Sequence, residues 1–389
     1  MAEMKNTDNW KDMPIPAPLD NEYTDIAWGL KTCAAGQKFE PFLINRAKVG
    51  DMDVKVDMHY CGVCHTDVHI GLNHLGGSMY PMVPGHELAG VVEEVGAKVT
   101  KVKVGDKVGI GCLCDACMDC GACKEGDEQY CEKGGWCHVY NDTKKYGHIG
   151  GNQETQTFGG YSGSHVLHEH FIIKMPENLP LEKAAPLLCA GITMYDPLKF
   201  WGATKEGSKM TIGIIGVGGL GTMGIKLANA LGHRVVAIST SPSKEAMAKE
   251  KGAHAFVVST DEASMKAEAA KIDLILNTVA APHQASHYLS LLAQGGTIVQ
   301  LGVFAEPHQI SQMPLIVQRK SVAGSLIGGI KNTEEMLEFC SKHNILPDTQ
   351  TIEAKEIDWA WDQLSTTNKD GIRYVIDIKK SRENKDFTV

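Results

Sequence analysis

The sequence predicts an α/β fold in two parts, a mainly β domain and a domain built on a doubly wound parallel sheet. Three observations lead there. Across residues 26–58 short apolar and polar pieces alternate between glycines, as in Phe42-Leu43-Ile44 and Val54-Lys55-Val56, which is the texture of short strands. The apolar run 209–215 has the length of a buried parallel strand and leads straight into Gly216-Val217-Gly218-Gly219-Leu220-Gly221. After that turn Leu220, Met223, Gly224, Leu227 and Leu231 recur at helical spacing, and further strands alternate with helices.

Bulk properties narrow the possibilities. A chain of 389 residues suits two or three domains, and 43% hydrophobic with 22% charged residues is a globular composition. A net charge of -9 argues against a nucleic-acid partner, because no basic stripe can neutralise phosphates. No apolar run approaches the roughly 20 residues that span a bilayer. Residues 1–24, with Pro14, Pro16 and Pro18, are expected to form a polar, partly disordered extension and not a targeting segment. The expected compartment is the cytoplasm, where twelve cysteines at close spacing point to metal or catalysis before disulfides.

In chain order, the first chemistry is in Tyr60-Cys61-Gly62-Val63-Cys64-His65-Thr66-Asp67-Val68-His69, reinforced by Gly85-His86-Glu87 and Pro186-Leu187-Leu188-Cys189-Ala190-Gly191. Cys64, His86 and Cys189 would leave a tetrahedral zinc with one open position, the catalytic pattern; Cys64 alone could equally be a buried small hydrophobe. Cys61 and Cys64 also have the spacing of a redox pair, but a strand leading to a helix N-terminus is not expected around them. Val91, Val92 and Val95 suggest a strand, with turns at Gly85, Gly90, Gly96 and Gly105.

A second cluster follows. Cys117, Cys120, Cys123 and Cys131 offer four thiolates, a closed and hence structural zinc site. Cys114 lies three residues before Cys117, so spacing alone allows a shifted frame; an iron–sulfur site and a freestanding zinc module are the other readings. Cys33, Cys61, Cys112, Cys114, Cys137 and Cys340 are read as non-ligands.

In the second half, Gly216 makes the tight turn, Gly218 lets backbone amides approach a pyrophosphate at the helix N-terminus, and Gly221 allows close helix–strand packing. The strand 233–238 normally ends in a carboxylate that binds the adenosine ribose of NAD. Here it ends in Ser239-Thr240-Ser241-Pro242-Ser243-Lys244; hydroxyls and an ammonium suit a 2′-phosphate, so the cofactor is expected to be NADP(H). Arg234 could help hold that phosphate but is read first as a solvated turn residue. Further strands are expected at 255–258, 272–276, 297–301 and 321–325, a helix at 283–293, a helix at 332–343 capped by Asn332 or Thr333, a last strand at 373–378 and a polar tail from 381.

Gly85-His86-Glu87, Gly90, Val92, Val95-Gly96, Val99, Gly105-Asp106 and Val108 resemble the zinc signature of the medium-chain alcohol dehydrogenases. Cys64-His65-Thr66-Asp67 and Ala185-Pro186-Leu187-Leu188-Cys189-Ala190-Gly191 resemble its cinnamyl-alcohol-dehydrogenase branch, and within it the broad-specificity aldehyde reductases. The resemblance covers about residues 25–380. It implies a GroES-like, mainly β catalytic domain over 25–189 and 328–389, with a structural zinc lobe at about 112–131 and a Rossmann NADP-binding domain over 190–327. Two zinc ions per subunit, NADP(H), a small aldehyde or alcohol substrate and a homodimer come with it.

By the same resemblance the metal role goes to Cys64 rather than Cys61, and the distance back from Cys131 selects Cys117. Thr66 would begin a proton relay ending at His69, with an ordinary surface histidine as the alternative. His65 would meet the pyrophosphate, with the same surface-histidine alternative, and Asp67 would orient His86. Glu87 would lie behind the metal or exchange into its shell; salt bridges are the bland reading of both carboxylates. Thr193, Thr278, Gly302, Ser325, Leu326 and Ile327 would contact the cofactor. Trp136 would line the substrate channel or be a core aromatic. The rivals are an NAD-linked polyol or sugar dehydrogenase, which would carry an acid at position 239, a non-catalytic zinc and nucleotide-binding protein, which would lack a ligand, and a zinc-free quinone reductase, which would lack the second cysteine cluster.

Overall fold

Strand β1 (Glu22–Gly29) pairs antiparallel with β2 (Glu40–Ala47), Glu22 opposite Ala47 and Gly29 opposite Glu40. The expected extension of residues 1–24 is therefore corrected at its end, since 22–24 are strand. Tertiary hydrogen bonds hold them: Tyr23 Oη lies 2.7 Å from Ser164 Oγ, and the Asp25 carboxylate accepts from Ser164 N at 2.8 Å. The computed structural model describes residues 20, 22–34, 36–143, 145–146, 156–304, 306–307, 309–366 and 370–383. Residues 1–19 of the extension and 384–389 of the tail lie outside that set.

The long strand β3 (Asp53–Val63) is the spine of the first domain. After α1 (His65–Gly71) come β4 (Leu88–Val95), β5 (Lys107–Ile110), β6 (Leu113–Asp115), α2 (Gly121–Glu125), β7 (Cys137–His138), β8 (Ser164–His168), β9 (Ile173–Lys174) and α3 (Leu181–Ala184). The nucleotide half runs α4 (Ala190–Phe200), β10 (Thr211–Ile215), α5 (Gly219–Ala230), β11 (Arg234–Ser239), α6 (Glu245–Glu250), β12 (Ala255–Val258), α7 (Glu262–Ala267), β13 (Ile272–Asn277), β14 (Leu292–Gln300), α8 (Gln312–Gln318) and β15 (Ser321–Gly324). The chain then returns through α9 (Ile330–His343), β16 (Thr349–Ile352), α10 (Ile357–Thr366), β17 (Arg373–Asp377) and α11 (Ile378–Glu383).

The first domain's main sheet has the order β16-β17-β3-β4-β5-β9, with β8 also on β3. Its spine pairing places Tyr374 opposite Val63, which brings the end of the chain beside Cys64. The second sheet is parallel, in the order β12-β11-β10-β13-β14-β15. Ile212, Ile214, Val236, Ile238, Leu274 and Ile275 are all fully or almost fully buried, as expected when helices cover both faces. Strand order reverses at β10, and a doubly wound sheet binds ligands at such a switch point. One apolar core runs from the β domain through α4 and α5 to one face of this sheet, and a second, around Val236, Ile275 and Ile298, covers the other.

Three local expectations are corrected. Residues 285–290 form a 3-10 turn in place of a helix over 283–293, because Ala270 N and Lys271 N donate to the carbonyls of Ser290 and Leu291 and draw the chain into β14. Helix α9 starts at Ile330 with Gly329 as its cap; Asn332 Nδ2 instead donates to Asp196 Oδ1 (2.8 Å), and the Thr333 hydroxyl donates to Gly329 O (2.8 Å). Arg234 opens a strand and makes a two-pronged ion pair with Glu268 (3.0 and 2.8 Å), so it is not a turn residue. No helix among the described residues is long and apolar enough to cross a membrane.

Candidate active site

Cys64 sits at the junction of β3 and α1, as the residue that caps the helix. The strand-to-helix context not expected around Cys61 and Cys64 is thus present. Cys61 nevertheless faces the core, fully buried, its thiol donating to Gly62 O at 3.5 Å, and burial pushes its pKa up, so it is not a reactive thiol. The Asp67 carboxylate closes the first turn by accepting from Cys64 N (2.9 Å). Its other oxygen lies 3.0 Å from His86 Nδ1. An ionised carboxylate only accepts, so His86 carries its proton on Nδ1 and presents Nε2 to the far side.

What Nε2 faces is a box of donors. The ligating atoms of Cys64, His86, Glu87 and Cys189 all lie within 4.8 Å of one another, brought together from three chain segments. Glu87 is fully buried; one carboxylate oxygen pairs with Arg373 and the other, Oε2, has no hydrogen-bond partner. Burial pushes this carboxyl up to about 8 even with Arg373 beside it. Two thiols, an imidazole and an orphaned carboxylate oxygen fit a zinc ion in both donor chemistry and charge. Gly62 makes the space: a Cβ there would fall 1.9 Å from Glu87 Oε2.

Sequence reasoning missed Arg373. Burial alone would lower its pKa, but Glu87, Cys64 and Cys189 more than offset that, so the guanidinium stays charged. It missed His138 as well, whose ring centroid is 5.9 Å from that of His86. Trp136, expected in the substrate channel, packs edge-on to His138 at 5.3 Å and does not line the main cleft.

The second cysteine cluster resolves its frame. The sulfurs of Cys117, Cys120, Cys123 and Cys131 lie within 4.8 Å of one another. Backbone amides point at them: Cys120 N donates to Cys117 Sγ (3.3 Å) and Glu132 N to Cys120 Sγ (3.4 Å), bonds that favour thiolates. The Cys114 thiol instead donates to the carbonyls of Cys137 and His138 (3.4 and 3.3 Å) and stands outside the group.

Between the two sheets lies a cleft of about 730 Å³. Cys64, His65, Thr66, His69 and Arg373 line one end, Gly216 to Leu220 the middle, and Ser239, Thr240, Ser241 and Lys244 the other. Gly216 turns at φ +88°, a Cβ on Gly221 would meet Gly216 O at 1.8 Å, and a Cβ on Gly218 would meet nothing within 4 Å. The middle glycine therefore leaves open space above the N-terminus of α5, where a pyrophosphate fits. Lys244 Nζ donates to Val217 O (2.7 Å), and no Asp or Glu is among the described residues lining the cleft. Thr278 donates to Ile215 O (2.8 Å), and it and Gly302 line the wall. Burial lowers the pKa of both His65 and His69.

The structure does not bring every expected cofactor residue to this cleft. Thr193, Ser325, Leu326 and Ile327 do not line it. Ser325 Oγ donates to Asp196 Oδ2 (3.4 Å) and Leu326 N donates to Tyr130 Oη (3.1 Å), which ties the segment after β15 to α4 and to the cysteine lobe.

Comparison with known proteins agrees with this geometry. Residues 50–177 match the alcohol dehydrogenase GroES-like domain and residues 219–342 the zinc-binding dehydrogenase domain. An 8-hydroxygeraniol dehydrogenase of Catharanthus roseus is 45% identical over 92% of this chain and 96% of its own. The chain belongs to the zinc-type alcohol dehydrogenases. Among relatives of this alcohol dehydrogenase, cinnamyl alcohol dehydrogenase 8 of Arabidopsis thaliana is 44% identical over 90% of the chain and 95% of its own. A solved cinnamyl alcohol dehydrogenase of Sorghum bicolor superposes with a TM-score of 0.87 at 37% identity, covering 93% of this chain and 100% of its own. That of Helicobacter pylori, solved with NADP(H), gives 0.84 at 37%, covering 92% and 99%. The dehydrogenase is accordingly an oxidoreductase of the CH–OH group, in the cinnamyl-alcohol-dehydrogenase branch.

Proposed function

We propose that the protein reduces aldehydes to primary alcohols with NADPH, at a zinc ion held by Cys64, His86 and Cys189, and runs in reverse on alcohols. The observation that supports it most is one cleft lined both by Cys64 of the donor box, with Arg373 beside it, and by the Ser239–Lys244 hydroxyls and ammonium. Zinc there supplies Lewis acidity toward the substrate oxygen, and NADPH the hydride.

The chain's own residues do the rest. Asp67 holds His86 in the tautomer that leaves Nε2 free, and Arg373 fixes Glu87 within reach of the donors and favours its charged form against burial. Amides of the Gly216–Gly221 turn and His65 receive the pyrophosphate, and Ser239, Thr240, Ser241 and Lys244 the 2′-phosphate. In reduction Thr66 passes a proton from the His69 side to the substrate oxygen, and in alcohol oxidation it hands the proton back toward His69. Cys117, Cys120, Cys123 and Cys131 hold a second, structural zinc. Residues 25–189 with 328–389 form the catalytic domain and 190–327 the nucleotide domain. Thr193, Ser325, Leu326 and Ile327 would reach the cofactor, and Trp136 the substrate, only from outside the cleft wall.

The reading extends to a homodimer, supported by β15 at the open edge of the parallel sheet and by Met313, Ile316 and Val317, which are 65%, 72% and 68% exposed on the adjacent α8. It extends to the cytoplasm, where twelve cysteines without a disulfide stay reduced. The test is NADPH oxidation over a panel of cinnamyl, benzyl and aliphatic aldehydes, repeated with NADH and after chelation. Turnover that favours NADPH, disappears with the metal and returns with zinc is expected; chelator-resistant turnover would overturn the reading.

A further inference from the structure

We infer that His74 is the outward partner through which His69 exchanges its proton with solvent; this rests on the reading above. The Nδ1 atoms of His69 and His74 face each other at 3.1 Å. The other nitrogen of His69, Nε2, is buried with no hydrogen-bond partner, on a side chain that lines the cofactor cleft. One end of the ring is thus free in the cleft wall and the other rests on a second imidazole.

The surroundings fix that arrangement. His65 stacks on the face of His69, with centroids 4.6 Å apart and planes at 10°. Asn73 turns in the left-handed region at φ +57°, and its side-chain oxygen accepts from Ser78 N at 3.1 Å. His74 N then donates to His69 O at 2.8 Å, so the chain after α1 folds back and carries His74 over His69. His74 itself is exposed.

The proton count closes without any other reactant. With its proton on Nδ1, donated to His74 Nδ1, His69 keeps a lone pair on Nε2. A proton arriving at Nε2 makes His69 an imidazolium; its Nδ1 proton passes to His74 Nδ1, and His74 releases its Nε2 proton to water. Aldehyde reduction uses the same path backwards, and exchange with solvent restores the starting tautomers. His74 touches neither substrate nor cofactor and is a positioning residue.

The test uses the zinc-loaded full chain carrying His74→Ala, assayed for aldehyde reduction in weak buffer with and without added imidazole. We expect kcat to fall by about tenfold, less than the ~10²-fold typical of a group at the reacting atom, and imidazole to restore it with KM unchanged. A rate equal to wild type, or a loss that imidazole leaves in place, overturns the inference. A second readout needs no turnover: ¹⁵N-histidine spectra of the zinc-loaded, cofactor-free protein should show His69 protonated at Nδ1 and bare at Nε2, and that preference should vanish in His74→Ala. Protonation at Nε2 in the wild type overturns it. If the wild type transfers no hydride to any aldehyde, the functional reading fails separately, and the spectra alone decide the His69–His74 pair.

Discussion

Arg373 and Glu87 form an ion pair with side chains only 6% and 0% exposed, although 286 positions separate them in the chain. Removing one partner leaves a charge in the interior without compensation. Arg373→Met should therefore lower stability by about 3–5 kcal/mol, measured by urea unfolding of the zinc-loaded protein. Arg373→Lys, which keeps the charge and loses the fork, should recover part of that. A loss under about 1 kcal/mol for Arg373→Met would mean that Glu87 is held by something else.

Cofactor choice is expected to turn on Ser239. A carboxylate at the end of β11 repels a 2′-phosphate and accepts from ribose hydroxyls. Ser239→Asp should move the NADPH-to-NADH ratio of kcat/KM toward NADH by about tenfold or more, equivalent to ~1.4 kcal/mol. An unchanged ratio would place the phosphate elsewhere.

The two cysteine frames differ in a countable way. Cys117→Ser should cost the structural metal, taking zinc per chain from about two to about one, and lower thermal stability, since binding there contributes to folding. Cys114→Ser, whose thiol only donates to carbonyls, should retain both ions. Metal analysis of the purified variants decides between the frames.

Asp196 gives a pH dependence with a definite sign. Burial pushes its carboxyl from 3.8 up to about 6, only partly opposed by hydrogen bonds from Asn332 and Ser325. The folded state then holds the proton more tightly than the unfolded one, so this group's contribution falls as pH rises from about 4 to about 6 and costs about 3 kcal/mol above that. Asp196→Asn should remove this term: its urea midpoint, compared with wild type, should gain more at pH 7.5 than at pH 5. Equal gains at both would show that the carboxyl is not titrating there.

The edge of the parallel sheet is testable by charge. Ile316→Glu on α8 should shift a dimer to monomer in sedimentation, with little change in monomer stability, because the side chain is already 72% exposed.

Much of the site was legible beforehand because metal and phosphate chemistry act through local spacing. Cys64 beside His65 and Thr66, His86 beside Glu87, four clustered cysteines and a glycine turn between β10 and α5 are each recognisable within a few residues, whereas the strand-to-helix setting of Cys64 was not. The glycine turn also announces the parallel sheet, since Gly216 takes a positive φ and Gly221 packs against the Gly216 carbonyl, demands of a strand–turn–helix. The choice of Cys117 over Cys114 rested on resemblance, and only the fold showed which thiol turns to a backbone carbonyl.

The tertiary structure alone decided everything that depends on distant segments meeting. Arg373 reaches the donor box because β17 pairs with β3, Tyr374 opposite Val63, and no local pattern encodes that register. At short range too, His74 meets His69, five residues before it, because the left-handed Asn73 reverses the chain after α1. Residues 285–290 leave the helical path because β13 offers their neighbours backbone partners, and Ser325 turns to Asp196 because α4 packs beneath it. Short-range stereochemistry determines which groups can bind an ion or a phosphate; burial and strand register, which are properties of the whole chain, determine which other groups stand around them.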